Sequence, residues 1–328
     1  MVVDSCVRGG SRYPVALEYL TEIGVDPGKA VKLIVGTHWH DDHVRGLAQV
    51  VAACPDAEFA CSAAMRSLEF LALTQATQAG LMMETSGVDE FREILSLLAL
   101  RGSAHPKFVK EASLLLRRDS AIEVEIQALT PSDKAFVAAL ADIAKLMPPP
   151  LEPKKRIGPA GPNHSSVAVW MKAGPVHLLF GADLQEVPGR YWTRVLQVST
   201  RPAGKASYFK LPHHGASNGD HPDVWRDLVA DKAVAVVCPF RQGGTVLPSD
   251  EDVSRICSKN VDAYTTSASE RQRPSRRDRT VERTMAEVVI RRSVANAPMG
   301  HVRARRALGD ADQRWAIQAF SPAARLCK

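Results

Sequence analysis

Three imidazoles and two carboxylates fall within the seven residues Thr37-His38-Trp39-His40-Asp41-Asp42-His43. They follow directly on Val31-Lys32-Leu33-Ile34-Val35, a compact apolar run that ends at Gly36 and reads as a buried strand. Such a cluster is costly to fold around unless a cation holds it together, because the polar groups must be desolvated without compensation. Neutral imidazole and carboxylate are both suitable zinc ligands. In a loop at a strand's end, His38 and His40 are two residues apart and can converge on one ion, leaving Asp42 and His43 for a neighbouring ion. The chain must therefore bring the end of an internal strand to the rim of a metal site.

Strand and helix patterns alternate around this loop. Residues 1–5 and 58–61 read as short strands, and 14–23 and 44–53 as helices, which argues for a layered α/β core. Residues 62–101 are rich in Ala, Leu, Met and Gln and fit two helices, at 63–79 and 88–100. A strand at 121–129 leads into Ser132 and Asp133, either of which can cap a helix running to 146. Pro148-Pro149-Pro150 ends that helix, and 148–163 reads as a stiff exposed loop carrying Lys154, Lys155 and Arg156. Further strands are expected at 166–172, 176–180, 208–211, 233–237, 301–305 and 314–320, with helices at 192–198 and 222–230.

Charge placement narrows the function classes. The 328 residues carry 42 Lys plus Arg against 36 Asp plus Glu, yet residues 1–249 hold 26 of each. The surplus belongs to the last quarter, which excludes a uniformly basic protein that binds polyanions by bulk charge. Five Arg between 271 and 279, interleaved with Pro274, Ser275 and Asp278, have the composition of a linker; the alternative is a phosphate-contacting arm. No run approaches the ~20 apolar residues needed to span a bilayer, and the first residues lack the form of a signal peptide. A cytoplasmic chain without a membrane partner is expected. The six cysteines are scattered, with no C-x-x-C pair, so reduced and mostly buried thiols are expected rather than a cysteine zinc site.

His38, His40, Asp42 and His43 spell H-x-H-x-D-H. Further on, Leu178-Leu179-Phe180-Gly181-Ala182-Asp183 is an apolar strand delivering an acid, and Lys210-Leu211-Pro212-His213-His214-Gly215-Ala216-Ser217 pairs two imidazoles. On these stretches the chain resembles the metallo-β-lactamase superfamily of binuclear metal hydrolases, over roughly residues 1–268. The last stretch is similar to the K-V-x-H-H-G-S segment of one branch. That branch comprises the soluble hydrolase domain of ComEC-type competence proteins, which take up DNA, and its stand-alone relatives. Ala216 departs from the segment, with Ser217 following at once.

The resemblance implies an α/β fold, an αββα sandwich of two mixed β-sheets flanked by helices, with metals at one edge. It implies a first ion on His38, His40 and His164, a second on Asp42, His43 and His213, and Asp183 bridging them. His164 lies in Asn163-His164-Ser165-Ser166, where several branches carry a third histidine ligand and ComEC-like chains carry an Asn-and-Ser-rich stretch; the alternative to ligation is a His hydrogen-bonded nearby. Of the adjacent pair, His213 is assigned to metal and His214 to substrate, as proton donor or oxyanion contact. Asp4 corresponds to the family's early Asp, which supports the ligands without touching the ions. The cofactors implied are two divalent ions about 3.5–4 Å apart, zinc by default and manganese as alternative, with a bridging hydroxide as nucleophile that Asp42 helps to orient. Lys154, Lys155, Arg156, Lys210 and Ser217 are candidate substrate contacts.

The domain expectation is a hydrolase domain over 1–268 with a mainly helical insertion at 62–163, an Arg-rich linker over 269–297, and a C-terminal strand pair over 298–328 packing on the domain. Relatives usually begin one or two strands earlier, so Met1 either starts inside the first sheet or marks a truncated start. The function expected is metal-dependent hydrolysis, by a phosphodiesterase or nuclease acting on DNA or nucleotides. The alternatives are a hydrolase of small esters, thioesters or lactams, and an inactive metal-binding module.

Overall fold

The computed structural model describes residues 1–8, 13–78, 86–102, 106–146, 163–198, 200–242, 245–259, 261–267, 279–288, 300–307 and 314–327. Strands β1 (Val2–Val3), β2 (Leu33–Gly36), β3 (Glu58–Ser62) and β4 (Lys107–Val109) form a parallel sheet in that order. Next come β5 (Leu114–Arg118), β6 (Val124–Ala128), β7 (Val169–Ala173), β8 (Val176–Phe180), β9 (Ala206–Lys210) and β10 (Val229–Val237). A small hairpin, β11 (Phe240–Gln242) with β12 (Thr245–Leu247), precedes β13 (Asp262–Thr265). A second hairpin, β14 (His301–Arg305) with β15 (Ala316–Phe320), precedes β16 (Ala324–Arg325). The second sheet has the order β16-β13-β10-β9-β8-β7-β6-β5; β8, β9, β10 and β13 are parallel and the outer pairings antiparallel.

Alternation along the strands sorts side chains into layers. Leu33 and Val35 of β2 meet Ala60, Val109, Leu115, Ile126, Ala128 and Val169 between the two sheets. Ile34, Phe59 and Cys61 point the other way and pack with apolar residues of the helices Leu47–Ala53, Leu68–Gln78, Ser86–Leu100 and Asp133–Lys145. On the opposite outer face Trp170, Leu179 and Phe209 meet the helices Trp192–Gln197, Pro222–Asp227 and Asp250–Cys257. The result is an α/β sandwich with helices on both outer faces, the fold class expected from the sequence. Ser132 caps the helix Asp133–Lys145 through its Oγ, which accepts from the Ala135 amide.

Three features go beyond the sequence pattern. The described strands within 62–163 belong to the two sheets. β4 completes the first sheet, and β5 and β6 form the far edge of the second. Residues 107–109 and 114–118 are too short to stand out beside the helical periodicity preceding them. Second, Cys257 and Cys327 form a disulfide, against the expectation of reduced thiols. β16 pairs with β13 and carries Cys327 to the end of the helix Asp250–Cys257, so the contact is made by tertiary structure and not by cysteine spacing. Third, the described part of the 269–297 linker is a helix, Arg279–Val288.

The hairpin β14–β15 is tied to the second sheet through Ser207, whose Oγ accepts from Trp315 Nε1 and Arg306 Nη1 at 3.3 and 3.2 Å. Among the described residues no helix is long and apolar enough to cross a membrane. Residues 154–156, His105 and most of the 271–279 arginine run lie outside the described residues.

Candidate metal centre

Parallel strands from both sheets end at one edge of the sandwich, and the candidate ligands follow those ends. Asp4 follows β1, His38 follows β2, Asp183 follows β8, and His213 and His214 follow β9. Four of the described non-glycine residues with positive φ sit here: Asp4 (58°), Ala182 (48°), His213 (42°) and His214 (54°). Left-handed backbone is unfavourable for such residues and is tolerated where surrounding structure imposes it. Gly181 permits a close approach here. A Cβ there would lie 2.8 Å from Pro212 Cβ, so only glycine lets the β8 end reach the histidine turn.

Asp4 organises the first motif. Its Oδ1 accepts from the Thr37 amide at 2.7 Å, and its Oδ2 accepts from Thr37 Oγ1 at 2.8 Å and from His43 Nδ1 at 2.7 Å. Because the Thr37 hydroxyl donates to Asp4, its oxygen is free to accept from His38 Nδ1 at 3.0 Å. His214 Nδ1 donates to the carbonyl of Cys238 at 2.9 Å. All three imidazoles are thus held with Nδ1 as the protonated nitrogen, which turns each Nε2 toward the cluster. This is how metal-binding histidines are commonly oriented.

The carboxylates complete the set. Ligand atoms of Asp42, His43, Asp183 and His214 lie within 4.8 Å of one another. Asp183 Oδ1 is 3.1 Å from His43 Nε2, and its Oδ2 is 3.8 Å from His38 Nε2 and 3.6 Å from His214 Nε2. Asp42 Oδ2 is 3.2 Å from His214 Nε2 and 3.7 Å from His43 Nε2. The Nε2 atoms of His38 and His43 are buried and make no hydrogen bond. Orphaned imidazole nitrogens facing the buried Asp183 and the more exposed Asp42 fit a divalent cation, which would satisfy both at once.

The imidazoles and carboxylates also shift one another's ionisation. Burial disfavours the charged form of Asp183, but the neighbouring His43 and His214 outweigh it and hold its carboxyl well below the usual range. Burial likewise opposes charge on His214, yet its hydrogen bonds to Asp183 and Asp42 lift it to about 9. Against the same burial penalty, Asp183 and Asp4 raise His43 well above its ordinary value. His38 goes the other way: burial, then the charge on His43, push it well below its ordinary value. His43 and His214 on one side and the two carboxylates on the other thus favour each other's charged forms.

The remaining candidates fall elsewhere. His214 faces the carboxylates, whereas His213 Nδ1 bonds Asn218 Oδ1 at 2.6 Å and its Nε2 faces Gln185 at 3.5 Å. The structure therefore places His214, rather than the expected His213, beside the carboxylates, with both residues left-handed in backbone. His164 is stacked on Tyr191, with Nδ1 bonded to the Tyr191 hydroxyl and Nε2 3.3 Å from Asp142 Oδ2. Both its nitrogens thus have partners in Tyr191 and Asp142, which leaves neither directed at a carboxylate of the cluster. His40 packs edge-on against His38 and shares a small cavity with Trp39, Asp142, Asn163 and His164. Lys210 Nζ donates to the carbonyl of Leu211, and Ser217 is exposed. Lys154, Lys155 and Arg156 lie outside the described residues.

Several supporting residues carry no signal in the sequence taken one position at a time. Asn163 Nδ2 donates to Asp183 Oδ2 at 3.2 Å, and Ser166 Oγ accepts from the Asp183 amide at 3.1 Å. The Asn-and-Ser-rich stretch was noticeable in the sequence, but its partner was not. Thr37 and the Cys238 carbonyl act through tertiary contacts alone.

The sequence profile of the metallo-beta-lactamase superfamily matches residues 9–239, and the chain belongs to that superfamily. Its members are mostly hydrolases that use divalent metals. Among solved structures, zinc-bound PqqB from Methylobacterium extorquens aligns with a TM-score of 0.34 at 9% identity, covering 71% of this chain and 70% of that one. A provisionally assigned metal-dependent hydrolase from Parabacteroides distasonis gives 0.32 at 12% identity, covering 74% and 80%. A variant of the CmlA beta-hydroxylase gives 0.34 at 12%, covering 71% of this chain and 42% of that one. No curated protein sequence matches the chain.

Proposed function

We propose that the chain is a divalent-metal-dependent hydrolase of phosphodiesters, with DNA or nucleotides as the substrate class. The observation that carries the hydrolase reading is the alignment of three Nδ1-anchored imidazoles, His38, His43 and His214, on the buried Asp183 and the half-buried Asp42. The phosphodiester part rests on the Lys210–Ser217 stretch and its similarity to the ComEC branch. Held by His38, His43, His214, Asp183 and Asp42, a divalent ion, zinc or manganese, would supply Lewis acidity, lowering the pKa of a bound water and offsetting charge on a phosphoryl oxygen.

The chain's own residues supply orientation and proton handling. Asp4, Thr37 and the Cys238 carbonyl fix the imidazole tautomers before any ligand arrives. Asp183, with its side chain 6% exposed, stays anionic and central. Asp42 is 35% exposed, its carboxyl is held well below its ordinary range by His214 and His43 against the burial penalty, and it is the carboxylate that would orient an incoming water. His213, anchored by Asn218 at the rim, is the imidazole placed to contact substrate or to protonate a leaving oxygen.

The test is an activity panel on the full chain with Zn2+ and with Mn2+, using bis-p-nitrophenyl phosphate, labelled single-stranded DNA and p-nitrophenyl acetate. Phosphodiester turnover that disappears in Asp183→Ala is the expected result. Ester turnover without phosphodiester turnover overturns the substrate class, and undiminished activity after complete metal stripping overturns the metal requirement.

A further inference from the structure

We propose that Asp41, Gly87 and Glu90 form a clamp through which the helix Ser86–Leu100 sets the metal affinity of the loop without touching an ion. The proposal rests on the metal-site reading above and extends it to residues from the region that the sequence presents as an accessory insertion.

The loop that carries His38, His40, Asp42 and His43 is bound to this helix at two points, one within the ligand set and one just after it. On one side, Asp41 Oδ1 accepts from the Gly87 amide at 2.7 Å. That amide belongs to the first turn of a 15-residue helix, where N–H groups lack intrahelical partners and a carboxylate is favoured. On the other side, Glu90 Oε1 accepts from the Gly46 amide at 2.6 Å, and its Oε2 accepts from the Ala48 amide at 2.9 Å. Gly46, left-handed at φ 81°, precedes the helix Leu47–Ala53 and has no capping side chain of its own. Glu90 provides that cap from the neighbouring helix. Each element thus satisfies the other's free amides; Asp42 and His43 lie between the two ties, and His38 and His40 lie just before the first.

Gly87 sets the distance. A Cβ built there would lie 1.8 Å from the Trp39 carbonyl oxygen and 3.2 Å from Asp41 Oδ1. Only glycine lets the helix rest on the backbone between His38 and His40. Any side chain must push the loop away and with it the two imidazoles that flank Trp39.

The discriminating readout is the Zn2+ affinity of the folded full-length chain, by competition with a chromogenic chelator, alongside the unfolding midpoint of the metal-free protein. Asp41→Ala and Glu90→Ala are expected to weaken Zn2+ binding by about tenfold or more, as loss of groups that orient ligands does. Asp41→Asn keeps an acceptor for the Gly87 amide and is expected to restore binding to near the wild-type value. A purely structural role would lower the unfolding midpoint and leave affinity unchanged. Should an alanine variant fail to fold, Glu90→Gln, which keeps one of the two acceptors, is expected to show an intermediate loss. Wild-type Zn2+ affinity in the folded Asp41 and Glu90 variants overturns the clamp alone. A wild-type chain that binds no Zn2+ overturns the metal-site reading and the clamp together.

Discussion

Asp4 Oδ2 and His43 Nδ1 meet at 2.7 Å across 39 residues of sequence, joining the end of β1 to the last residue of the H-x-H-x-D-H loop. The same carboxylate holds Thr37 by its amide and hydroxyl, and through Thr37 it reaches His38. Asp4 therefore governs two of the three imidazoles.

Asp4→Asn isolates that role. Asparagine tolerates the left-handed backbone at this position, but its single acceptor oxygen cannot serve three donors. Zn2+ affinity is expected to fall 10–100-fold, the usual effect of losing a carboxylate behind a metal-bound histidine. Chelator competition measures it; an unchanged affinity would remove Asp4 from the site.

The adjacent histidines give a sharper contrast. His214→Ala removes a ring whose Nε2 is 3.2 Å from Asp42, and metal binding is expected to weaken at least tenfold. His213→Ala and His164→Ala are expected to retain the metal content of the wild type, because those rings are engaged by Asn218 and by Tyr191 and Asp142. Metal analysis of the three dialysed variants decides between this arrangement and the one the sequence implies.

Proton balance makes the metal-free protein sensitive to pH. His214 is raised from 6.5 to about 9 in the folded chain. Between those values the folded state holds a proton that the unfolded state has released. Its stabilisation is complete below pH 6.5 and is lost as pH rises through about 9, with a slope of at most about 1.4 kcal/mol per pH unit. Urea unfolding of the metal-free chain across this range is expected to show falling stability and a shallower fall in His214→Gln. Metal displaces these protons, so affinity is expected to rise with pH over the same range.

Thiol titration checks the C-terminal closure. Denatured but unreduced protein is expected to expose four thiols, those of Cys6, Cys54, Cys61 and Cys238, and two more after reduction. Six thiols before reduction would contradict the Cys257–Cys327 link.

The parts of this architecture legible in the sequence are those that local pattern determines. The apolar run before Gly36 sets β2, and the acid after Leu178-Leu179-Phe180 follows the end of β8. The clustered histidines mark the loop between them. What stayed hidden depends on partners far along the chain. The choice between His213 and His214 turns on backbone that is left-handed at both positions, although neither is glycine. The engagement of His164 depends on Tyr191 and Asp142, which no spacing connects to it. The short β4 and β5 are recognised only by the sheets they complete, and Gly87 only by the carbonyl on which it rests.

The central claim is that Asp183 and the Nδ1-anchored histidines form one divalent-metal site. Its most direct test is the metal content of wild-type protein and Asp183→Ala after equilibrium dialysis against Zn2+, with circular dichroism to establish that both are folded. The account predicts at least one tightly held Zn2+ per wild-type chain and its loss in Asp183→Ala. Equal metal content in the two folded proteins, or none in the wild type, would contradict it.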